Sequence, residues 1–543
     1  MQFRLVIKYL ATGISFRQVT KILVATREET GLTKLSGLSD TGVANYARIV
    51  CGMSLQHLST ILNHNTTWAF SLANDISTHY GQSYFDNRIR LHCNGIIYNI
   101  HALAIPIYES HTGLKMFQLV CEFFDIICPT WRTKLISMGS DGASSMTGKH
   151  QGVVTRIEQE VNHQMYRIWC GLHQLDLVMK HAYRDLKDGE LLSIMYAFTG
   201  YLRRQQNLIA DMQSTCPKLT TRWVAMGQTC KWLLEKRARL FEHFEEHDSN
   251  NAPPSWWWIV IAAISALSEQ INIVFIKLQS KDLLISQQKA ILENLAVGLS
   301  SQLGVDGPHT TVEMAALNIV TTSTFGRWSI KHTNVIEFLN DQGLFVQSSL
   351  NHLPADSAES CHYIVNLIGQ LIVRLIDGIV EIQCERNSNN APIDNDCYTI
   401  PPVLPHALVH LRGSEFTNII KKHLQQLTPF WNESKIDLLQ IQHRELRNAY
   451  QMQPLFAQTL DVCDYNTSFE ESWKIVEGRF DVLRDFCGGI ATAFPNTATV
   501  ESDFSNLKWE KDKFRMSLTD LSLEGILQCK QFQLLSSLAK AVK

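Results

Sequence analysis

Residues 134–156 read KLISMGSDGASSMTGKHQGVVTR, and the predicted fold depends on this stretch. The apolar residues Leu135, Ile136 and Met138 predict a short buried strand that ends at Asp141. A glycine-bearing turn follows, and we expect a helix after it. Folds that mix strands and helices place their chemistry at the carboxyl ends of strands. Asp141 is therefore a candidate functional carboxylate, although a strand-end aspartate that only caps the next turn is an equally good interpretation.

The composition is that of a chain that can bury large cores. Its 543 residues are 45% hydrophobic, which predicts several domains or one domain with a long insertion. The formal net charge of -3 excludes a globally basic DNA-coating protein, but it leaves room for a local basic groove. The 13 cysteines form no C-x-x-C pair, which is typical of an intracellular protein without a disulfide framework.

The most apolar run, WWWIVIAAISAL at residues 256–267, predicts a buried helix. Polar residues end it well before the roughly 20 residues that a membrane-spanning helix needs, so no membrane association is expected. At the N-terminus, Arg4 and Lys8 interrupt the apolar residues, and we identify no secretory signal there.

Period-two alternation predicts three consecutive strands. They are TWAFSLANDIST at 67–78, YFDNRIRLHC at 84–93 and GIIYNIHALAIPI at 95–107. Gly81 and Gly95 lie at the turns between them, so the three strands are expected to form an antiparallel meander.

Helices and strands alternate after this meander. The predicted elements are helices at 114–127, 150–161 and 174–186, and strands at 135–141 and 165–170. The resulting order, β-β-β-α-β-α-β-α, is that of the ribonuclease H-like fold, a mixed sheet in which the first and fourth strands are neighbours. Asp75 and Asp141, on those two strands, are therefore expected to approach each other.

Residues 1–66 read as helical, with Ser15 and Asp40 as candidate helix caps. Residues 1–65 hold seven lysines and arginines against three acidic residues, which favours a helix-turn-helix-like DNA contact. The gap between the two helices is longer than the 3–4-residue turn of that motif. The alternative is an ordinary helical cap on the following domain.

A second candidate DNA contact is CPKLTTRWVAMGQTCKWLLEKRARL at residues 216–240. Its basic residues alternate with aromatic ones, and Arg222, Trp223, Lys231 and Arg237 would suit a DNA backbone with a base stacked on a ring. The alternative, which the pattern slightly favours, is a helix with a solvated basic face and two core tryptophans.

Five stretches spread over nearly the whole chain resemble hAT-superfamily transposases. They are LANDISTHYGQSYFDNRIRL (72–91), SMGSDGASSMTGKHQGVVTRI (137–157), IWCGLHQLDLVMK (168–180), TTRWVAMGQ (220–228) and FPNTATVESDFSNLKWEKDKFRMSL (494–518). The most specific features are the Cys-x-x-His at Cys170 and His173 and the pattern P-x-x-x-x-V-E-S-x-F-S near the C-terminus. The resemblance implies a ribonuclease H-like mixed-sheet core that is interrupted by a long helical insertion, in a chain that is α/β plus all-α and mostly helical.

The resemblance also implies a catalytic, metal-binding set of Asp75, Asp141 and Glu501, with Asp86 as the alternative to Asp75. Three carboxylates suit two divalent ions about 3.5–4 Å apart, which support in-line attack on a phosphodiester. Mg²⁺, or Mn²⁺ in its place, is the expected cofactor because it prefers hard oxygen ligands. The implied activity is cleavage of DNA at element ends and joining of those ends elsewhere.

Four regions follow from this resemblance. They are a helical N-terminal region (1–66), the first part of the core (67–190), the helical insertion (191–470), and a C-terminal core helix with an hAT-type dimerisation region (471–543). The expected partners are DNA and further copies of the chain, and the expected location is the nucleus. Cys170 and His173 are interpreted as structural or DNA-proximal, because a structural zinc site needs four ligands and no second pair lies nearby.

The sequence departs from the family pattern at two places. No zinc-binding BED finger is seen near Met1, and the usual Glu-Arg pair is Glu501 followed by Ser502. A second function therefore stays open, that of a domesticated or degenerate transposase-derived protein which binds DNA and dimerises without nuclease activity. The three carboxylates favour the enzyme, and the two departures favour the alternative.

Overall fold

The computed structural model describes the chain except for residues 36, 80, 109, 162, 220–222, 248–251, 355–359, 387–399, 477, 512–517 and 543. The chain forms two compact units. The first, here called the sheet unit, consists of Met1–Cys170, Gln279–Gln288 and Gln383–Lys543. The second, the helical unit, consists of Gly171–Leu278 and Lys289–Ile382.

The elements up to residue 170 include five strands. They are α1 (Gln2–Ala11), α2 (Phe16–Thr30), α3 (Asp40–Asn63), β1 (Phe70–His79), β2 (Gln82–Cys93), β3 (Ile96–Ile107), α4 (Gly113–Ile127), α5 (Trp131–Lys134), β4 (Leu135–Ser140), α6 (Ser144–Thr147), α7 (Val153–Val161) and β5 (Tyr166–Trp169). The predicted order of strands and helices is therefore present.

From residue 171 to residue 382 the chain is mainly helical. The elements are α8 (Gly171–Arg184), α9 (Glu190–Leu202), α10 (Gln206–Met212), α11 (Met226–His247), α12 (Ser255–Leu278), α13 (Ile285–Leu303), β6 (Val305–Asp306), α14 (Thr311–Ala316), β7 (Thr322–Phe325), β8 (Trp328–Lys331), α15 (His332–Asn340), α16 (Leu344–Asn351) and α17 (Cys361–Val380). The strands form a small sheet in the order β6-β8-β7, which the sequence patterns did not predict.

The last part of the chain returns to the sheet unit. Its elements are β9 (Glu385–Arg386), α18 (Pro405–Leu408), α19 (Gly413–Leu427), α20 (Glu433–Met452), α21 (Pro454–Asp461), α22 (Phe469–Lys474), α23 (Asp481–Ala491), α24 (Ala498–Glu510) and α25 (Asp520–Ala541). The region predicted as one insertion, 191–470, thus differs from the compact units. Helices α18–α22 belong with the sheet, and the helical unit begins earlier than predicted.

The central sheet has the order β3-β2-β1-β4-β5-β9. Strands β1, β2 and β3 form the expected antiparallel meander. Strand β4 pairs in parallel with β1 on one side and with β5 on the other, and the two-residue β9 closes the edge in antiparallel pairing. The first and fourth strands are therefore neighbours, as expected.

Helices cover both faces of this sheet. On one face, Phe70, Leu72 and Phe85 belong to a core that also includes Val120 and Phe124 of α4. On the other face, two cores form. One lies among the helices between α18 and α23, and the other lies under α24 and α25. A strand that is covered on both faces has few exposed side chains, so the charged residues of β2 are buried with it.

The ends of the N-terminal helices follow from local hydrogen bonds. The N–H of Gln18 donates to Ser15 Oγ and the N–H of Ser15 donates to Gln18 Oε1, which closes a capping box at the start of α2. Helix α3 is capped by Ser39, whose Oγ accepts from the N–H of Gly42 at 3.1 Å, and the predicted cap Asp40 is the first helical residue. The apolar faces of α1 and α3 pack against α25 in a shared core.

The most apolar run of the sequence lies in α12, inside the helical unit. Trp256–Ile264 are all buried there, as the buried-helix prediction requires. Trp257 Nε1 donates to the carbonyl of Leu191 at 3.2 Å. By length and composition alone, Ser255–Leu278 and Cys361–Val380 are two helices that could cross a membrane, with 56% and 61% of their most apolar windows buried.

Candidate active site

The parallel pairing of β1 with β4 brings Asp75 and Asp141 to the same end of the sheet. Ala73 pairs with Gly139 in the register of these two strands. Asp75 lies two residues after Ala73, and Asp141 lies two residues after Gly139. Because the two strands run in the same direction, equal steps beyond a paired position leave the two aspartates side by side.

The turn after β4 holds Asp141 in place. The N–H of Ala143 donates to Asp141 Oδ1 at 2.9 Å, and Trp169 Nε1 donates to the Asp141 carbonyl at 2.9 Å. Gly142 has φ +90°, and a Cβ there would lie 1.9 Å from Trp169 Nε1, so this position requires glycine. Asp141 therefore does cap its turn. Capping does not exclude a ligand role, since a carboxylate offers two oxygens.

Helix α24 brings Glu501 to the two aspartates. The helix buries Val500, Phe504 and Leu507 against the sheet, and Glu501, in its first turn, is partly exposed. The N–H of Thr497, just before the helix, donates to the buried Sγ of Cys170 at 3.4 Å. Cys170 thus anchors the start of the helix to the end of β5, which fits its structural interpretation.

The pKa of Asp75 reflects the charges of the other two carboxylates. Burial raises the pKa of Asp75 to about 8, and the negative charges of Asp141 and Glu501 contribute to that rise. A hydrogen bond from the N–H of Ile76 to Asp75 Oδ1, at 2.7 Å, acts in the opposite direction. The charges of Asp141 and Glu501 therefore both act on Asp75.

Asp86, the alternative to Asp75, sits directly opposite it on β2 but is fully buried. Its Oδ1 lies 3.1 Å from His101 Nδ1, and this contact acts to lower the pKa of Asp86. Burial and the charge of Asp503 raise the pKa of Asp86 to about 7. Asp86 has no exposed surface through which to contact a ligand, whereas Asp75, Asp141 and Glu501 are each partly exposed.

Two groups of side chains could hold metal ions. Within the described part of the chain, only Asp86, His101 and Asp503 have ligand atoms that all lie within 4.8 Å of one another. The carboxylates of Asp75, Asp141 and Glu501 are more widely spread. The hard oxygen ligands of these three carboxylates are nevertheless of the type that a site for two divalent ions uses.

The predicted DNA-contact helix α11 is engaged within its own unit. Lys231 Nζ lies 2.9 Å from Glu269 Oε1, and both side chains are exposed. The guanidinium of Arg237 lies over the Phe345 ring, 4.8 Å from its centroid. A solvated, partly neutralised basic face is therefore what the described residues of this helix present, and DNA contact by Lys231 and Arg237 stays a prediction.

The other predicted contacts are less well defined by their surroundings. Arg222 lies outside the described residues. Trp223 is partly buried in a short 3-10 helix, Trp223–Ala225, and His173 is partly buried in the first turn of α8. Neither Cys170 nor His173 belongs to the one close three-ligand group found in the described part of the chain, and their interpretation as non-metal residues stays a prediction.

The sequence analysis did not predict a functional role for four buried charged residues next to the candidate site. They are Arg88, His101, Asp503 and Glu524. They form a buried charged network that joins the sheet to α24 and α25. A signal was present in β2, where the charged residues Asp86, Arg88 and Arg90 share one face of a strand whose other face carries Phe85, Ile89 and Leu91. Such a pattern on a strand buried on both faces requires partners of opposite charge from elsewhere in the fold.

Three carboxylates at one end of a sheet offer hard oxygen ligands of the kind that Mg²⁺ and Mn²⁺ prefer. A comparison of the chain with models of known protein families gave no match. The function of the site is therefore inferred from the residues that form it and from the motifs that contain them.

Proposed function

We propose that this protein is a metal-dependent DNA strand-cleaving and strand-transferring enzyme of the hAT transposase type. The observation that carries the proposal is that Asp75 and Asp141 lie at the same end of neighbouring parallel strands and that the charge of Glu501 acts on Asp75. Glu501 is separated from the two aspartates by most of the chain, yet its charge contributes to the raised pKa of Asp75. This charge effect supports the proposal, because the three motifs that supply these carboxylates are those that the resemblance assigns to one catalytic set.

The sheet topology supports the same proposal. The order β3-β2-β1-β4-β5, with an antiparallel meander followed by two parallel strands, is the order expected of a ribonuclease H-like core. In such a core the first acidic residue lies on the first strand and the second lies at the end of the fourth. Asp75 and Asp141 occupy those two positions.

The roles of the three carboxylates follow from their positions. Asp75 and Asp141, at one end of the sheet, and Glu501, whose charge acts on Asp75, would together hold the divalent ions. Bound Mg²⁺ or Mn²⁺ would supply an activated water or 3′-hydroxyl and would stabilise the leaving oxygen. The raised pKa of Asp75 means that this carboxylate lacks a compensating positive charge in the metal-free protein.

DNA is the substrate in this proposal, and further copies of the chain are its partners. A nuclear location follows from the same assignment. The C-terminal helix α25 buries much of its apolar face within its own chain, against α1, α3 and β3. Dimerisation through the C-terminal region would therefore use surfaces other than the buried residues Leu523, Ile526 and Leu527.

Replacing Asp141 with asparagine tests the proposal. The full-length protein should nick or hairpin a DNA end in Mg²⁺ or Mn²⁺, and Asp141→Asn should lower that rate by more than about 100-fold, the upper loss expected for a residue that only supports a metal ligand. Cleavage is measured on end-labelled duplexes. Asp481→Asn, which removes an exposed carboxylate of the same unit, is the matched control and should cleave at the wild-type rate.

Equal inactivity of wild type and Asp141→Asn, with DNA binding retained, would support the other candidate function. The protein would then be a transposase-derived DNA-binding protein without nuclease activity. The effect of Mn²⁺ on the melting temperature is a second measurement that separates the two functions. A protein whose three carboxylates bind no metal would show no Mn²⁺-dependent change in stability.

A further inference from the structure

Five charged side chains are buried together behind the candidate active site. They come from β2, β3, α24 and α25, and each is less than a tenth exposed: Asp86, Arg88, His101, Asp503 and Glu524. Charged groups are buried in proteins only when they are paired, and removing one partner leaves an uncompensated charge. These five residues are here called the buried network.

Arg88 contacts α24 on either side of Glu501. Its Nη1 donates to Asp503 Oδ2 at 2.5 Å and to the carbonyl of Thr499 at 3.5 Å. Thr499 and Asp503 lie two residues before and two residues after Glu501. Through Nη2, Arg88 also donates to the carbonyl of Asn99 on β3 at 3.2 Å. A single guanidinium therefore ties the turn of helix that carries Glu501 to two strands of the sheet.

His101 adds a second contact to the same carboxylate. Its Nδ1 lies 3.1 Å from Asp503 Oδ2, and its Nε2 lies 2.9 Å from Glu524 Oε1 on α25. Burial opposes a charge on this ring, but Glu524, Asp86 and Asp503 together raise the pKa of His101 well above its ordinary value. The charged imidazolium thus joins β3 to both C-terminal helices.

The strand that carries these contacts is paired with the strand that carries Asp75. Arg88 lies opposite Ala73 on β1, and Asp86 lies opposite Asp75. A displacement of α24 relative to Arg88 would therefore also displace Glu501 relative to Asp75. The network and the candidate active site are therefore connected through the paired strands β1 and β2.

Apolar packing alone would fix this helix less tightly. Val500, Phe504 and Leu507 share a core with Ala73 and Ala104 of the sheet, and hydrophobic contact is non-directional. A helix on such a surface can turn slightly with little loss of buried area. Hydrogen bonds to charged groups have defined directions and are about twice as strong as neutral ones, so they select one rotation of the helix.

We propose that Arg88, His101 and Asp503 are positioning residues that fix the rotation of α24 and so hold Glu501 within reach of the metal ions bound by Asp75 and Asp141. This inference rests on the proposed function of the three carboxylates. Asp86, His101 and Asp503 could instead bind an ion of their own, but Asp503 Oδ2 already accepts from Arg88, whose positive charge would oppose a cation there.

Mn²⁺ binding to the full-length protein tests the proposal without requiring activity. Asp503→Asn removes the charge that Arg88 and His101 hold, and we expect it to weaken Mn²⁺ binding about 10–100-fold, the loss typical of residues behind metal ligands. Titrations are followed by electron paramagnetic resonance of free Mn²⁺. The matched control is Asp520→Asn, which removes another carboxylate that joins β2 to the C-terminal segment, through Tyr84, without contacting α24 near Glu501.

A double variant separates positioning from stability. Asp503→Asn leaves Arg88 without its partner and is expected to lower the melting temperature, whereas Arg88→Met with Asp503→Leu removes both charges and should recover much of the stability. If the network positions Glu501, the double variant folds but still binds Mn²⁺ at least about tenfold more weakly than wild type. Recovery of both stability and wild-type Mn²⁺ affinity overturns the proposal.

Two further results are decisive. If Asp141→Asn binds Mn²⁺ as tightly as wild type, the three carboxylates are not the metal site, and the proposed function fails together with this inference. If wild type binds Mn²⁺ through Asp141 but Asp503→Asn binds it equally well, only the positioning role is lost. The positioning role is also overturned if the purified wild type holds a stoichiometric metal ion that Asp503→Asn loses. Asp86, His101 and Asp503 would then be a metal site themselves.

Discussion

The ionised form of Asp75 is electrostatically unfavourable in the metal-free fold. Its carboxylate is partly buried and is affected by the charges of Asp141, Glu501 and Asp86, while a hydrogen bond from the N–H of Ile76 acts in the opposite direction. Each of these neighbours makes ionisation less favourable, so the metal-free site favours a proton on Asp75 at neutral pH. A divalent cation would remove that penalty, which couples metal binding to pH.

The pH dependence of stability follows from this pKa. An unfolded aspartate ionises near pH 4, about four units below the folded Asp75, so between those values the folded state holds a proton that the unfolded chain has lost. The contribution of Asp75 to stability is therefore lost as pH rises from about 4 to about 8. Asp75→Asn keeps an acceptor for the Ile76 N–H and removes this penalty.

We accordingly expect Asp75→Asn to raise the melting temperature of the protein in chelator, and by more at pH 8 than at pH 5. Mn²⁺ should narrow the difference at pH 8, since only the wild type gains stability from binding it. Circular dichroism melts at the two pH values check both statements. A gain of equal size at pH 5 and pH 8 would mean that Asp75 does not carry the raised pKa.

Single residues differ in how far the sequence could identify them. Asp75 and Asp141 could be chosen because strand ends are visible in the alternation of apolar residues, and Glu501 because its motif is specific. The contacts of Arg88 and His101 with Asp503 could not be predicted, since they join positions about 400 residues apart along the chain. What the sequence did show was charge on a buried strand, without the partners.

At the level of elements, helix α23 fits against the sheet only because two of its residues lack side chains. A Cβ at Gly489 would lie 2.3 Å from Trp68, and one at Gly488 would lie 2.4 Å from His92. Trp68 cannot move aside easily. It is buried, it donates through Nε1 to the carbonyl of Asp485 at 3.0 Å, and it stacks on Phe486.

Gly489→Ala should therefore destabilise the sheet unit, although alanine is the better helix former. We expect a loss of about 1–3 kcal/mol in the free energy of unfolding, the range for overpacking a close contact. Gly52→Ala, in the exposed middle of α3, meets nothing within 4 Å and should be neutral or stabilising by up to about 1 kcal/mol. Urea unfolding of both variants measures the difference, and similar midpoints for the two would contradict the close packing of α23.

The elements that the sequence predicted best are those with local signals. The turns between β1, β2 and β3 contain Gly81 and Gly95, whose φ angles are +78° and +81°, so both the glycines and the alternation mark the meander. The hairpin β7–β8 has a similar signal, a Gly326–Arg327 turn between TSTF and WSIK, but its surroundings read as helix. Helix α7 begins at Val153, later than predicted, because Gly148 and Gly152 approach each other closely in the preceding turn.

At the level of the whole molecule, the chain crosses between the two units more than once. Residues 279–288 return to the sheet unit between two parts of the helical unit. There the carbonyl of Leu283 accepts from the buried guanidinium of Arg90 at 2.9 Å, and the carbonyl of Lys281 accepts from Asn99 Nδ2 at 2.8 Å. The helical unit is therefore not one uninterrupted insertion. Amphipathic helices on either side of the boundary look alike in sequence, which is why 191–470 was predicted as a single region.

Because each unit has its own buried core, we expect two separable unfolding transitions rather than one. Mn²⁺ at about 100 times its dissociation constant should stabilise the sheet unit by about 2.7 kcal/mol and raise only its transition.

Gly227→Ala should lower only the transition of the helical unit, since a Cβ there would lie 2.3 Å from Ser268 on α12. The matched control is Gly298→Ala on α13, where a Cβ meets nothing within 4 Å. Differential scanning calorimetry measures both shifts. A single transition that Mn²⁺ and Gly227→Ala move together would show that the two cores unfold as one, and the metal effect could then not be assigned to the carboxylates of the sheet unit.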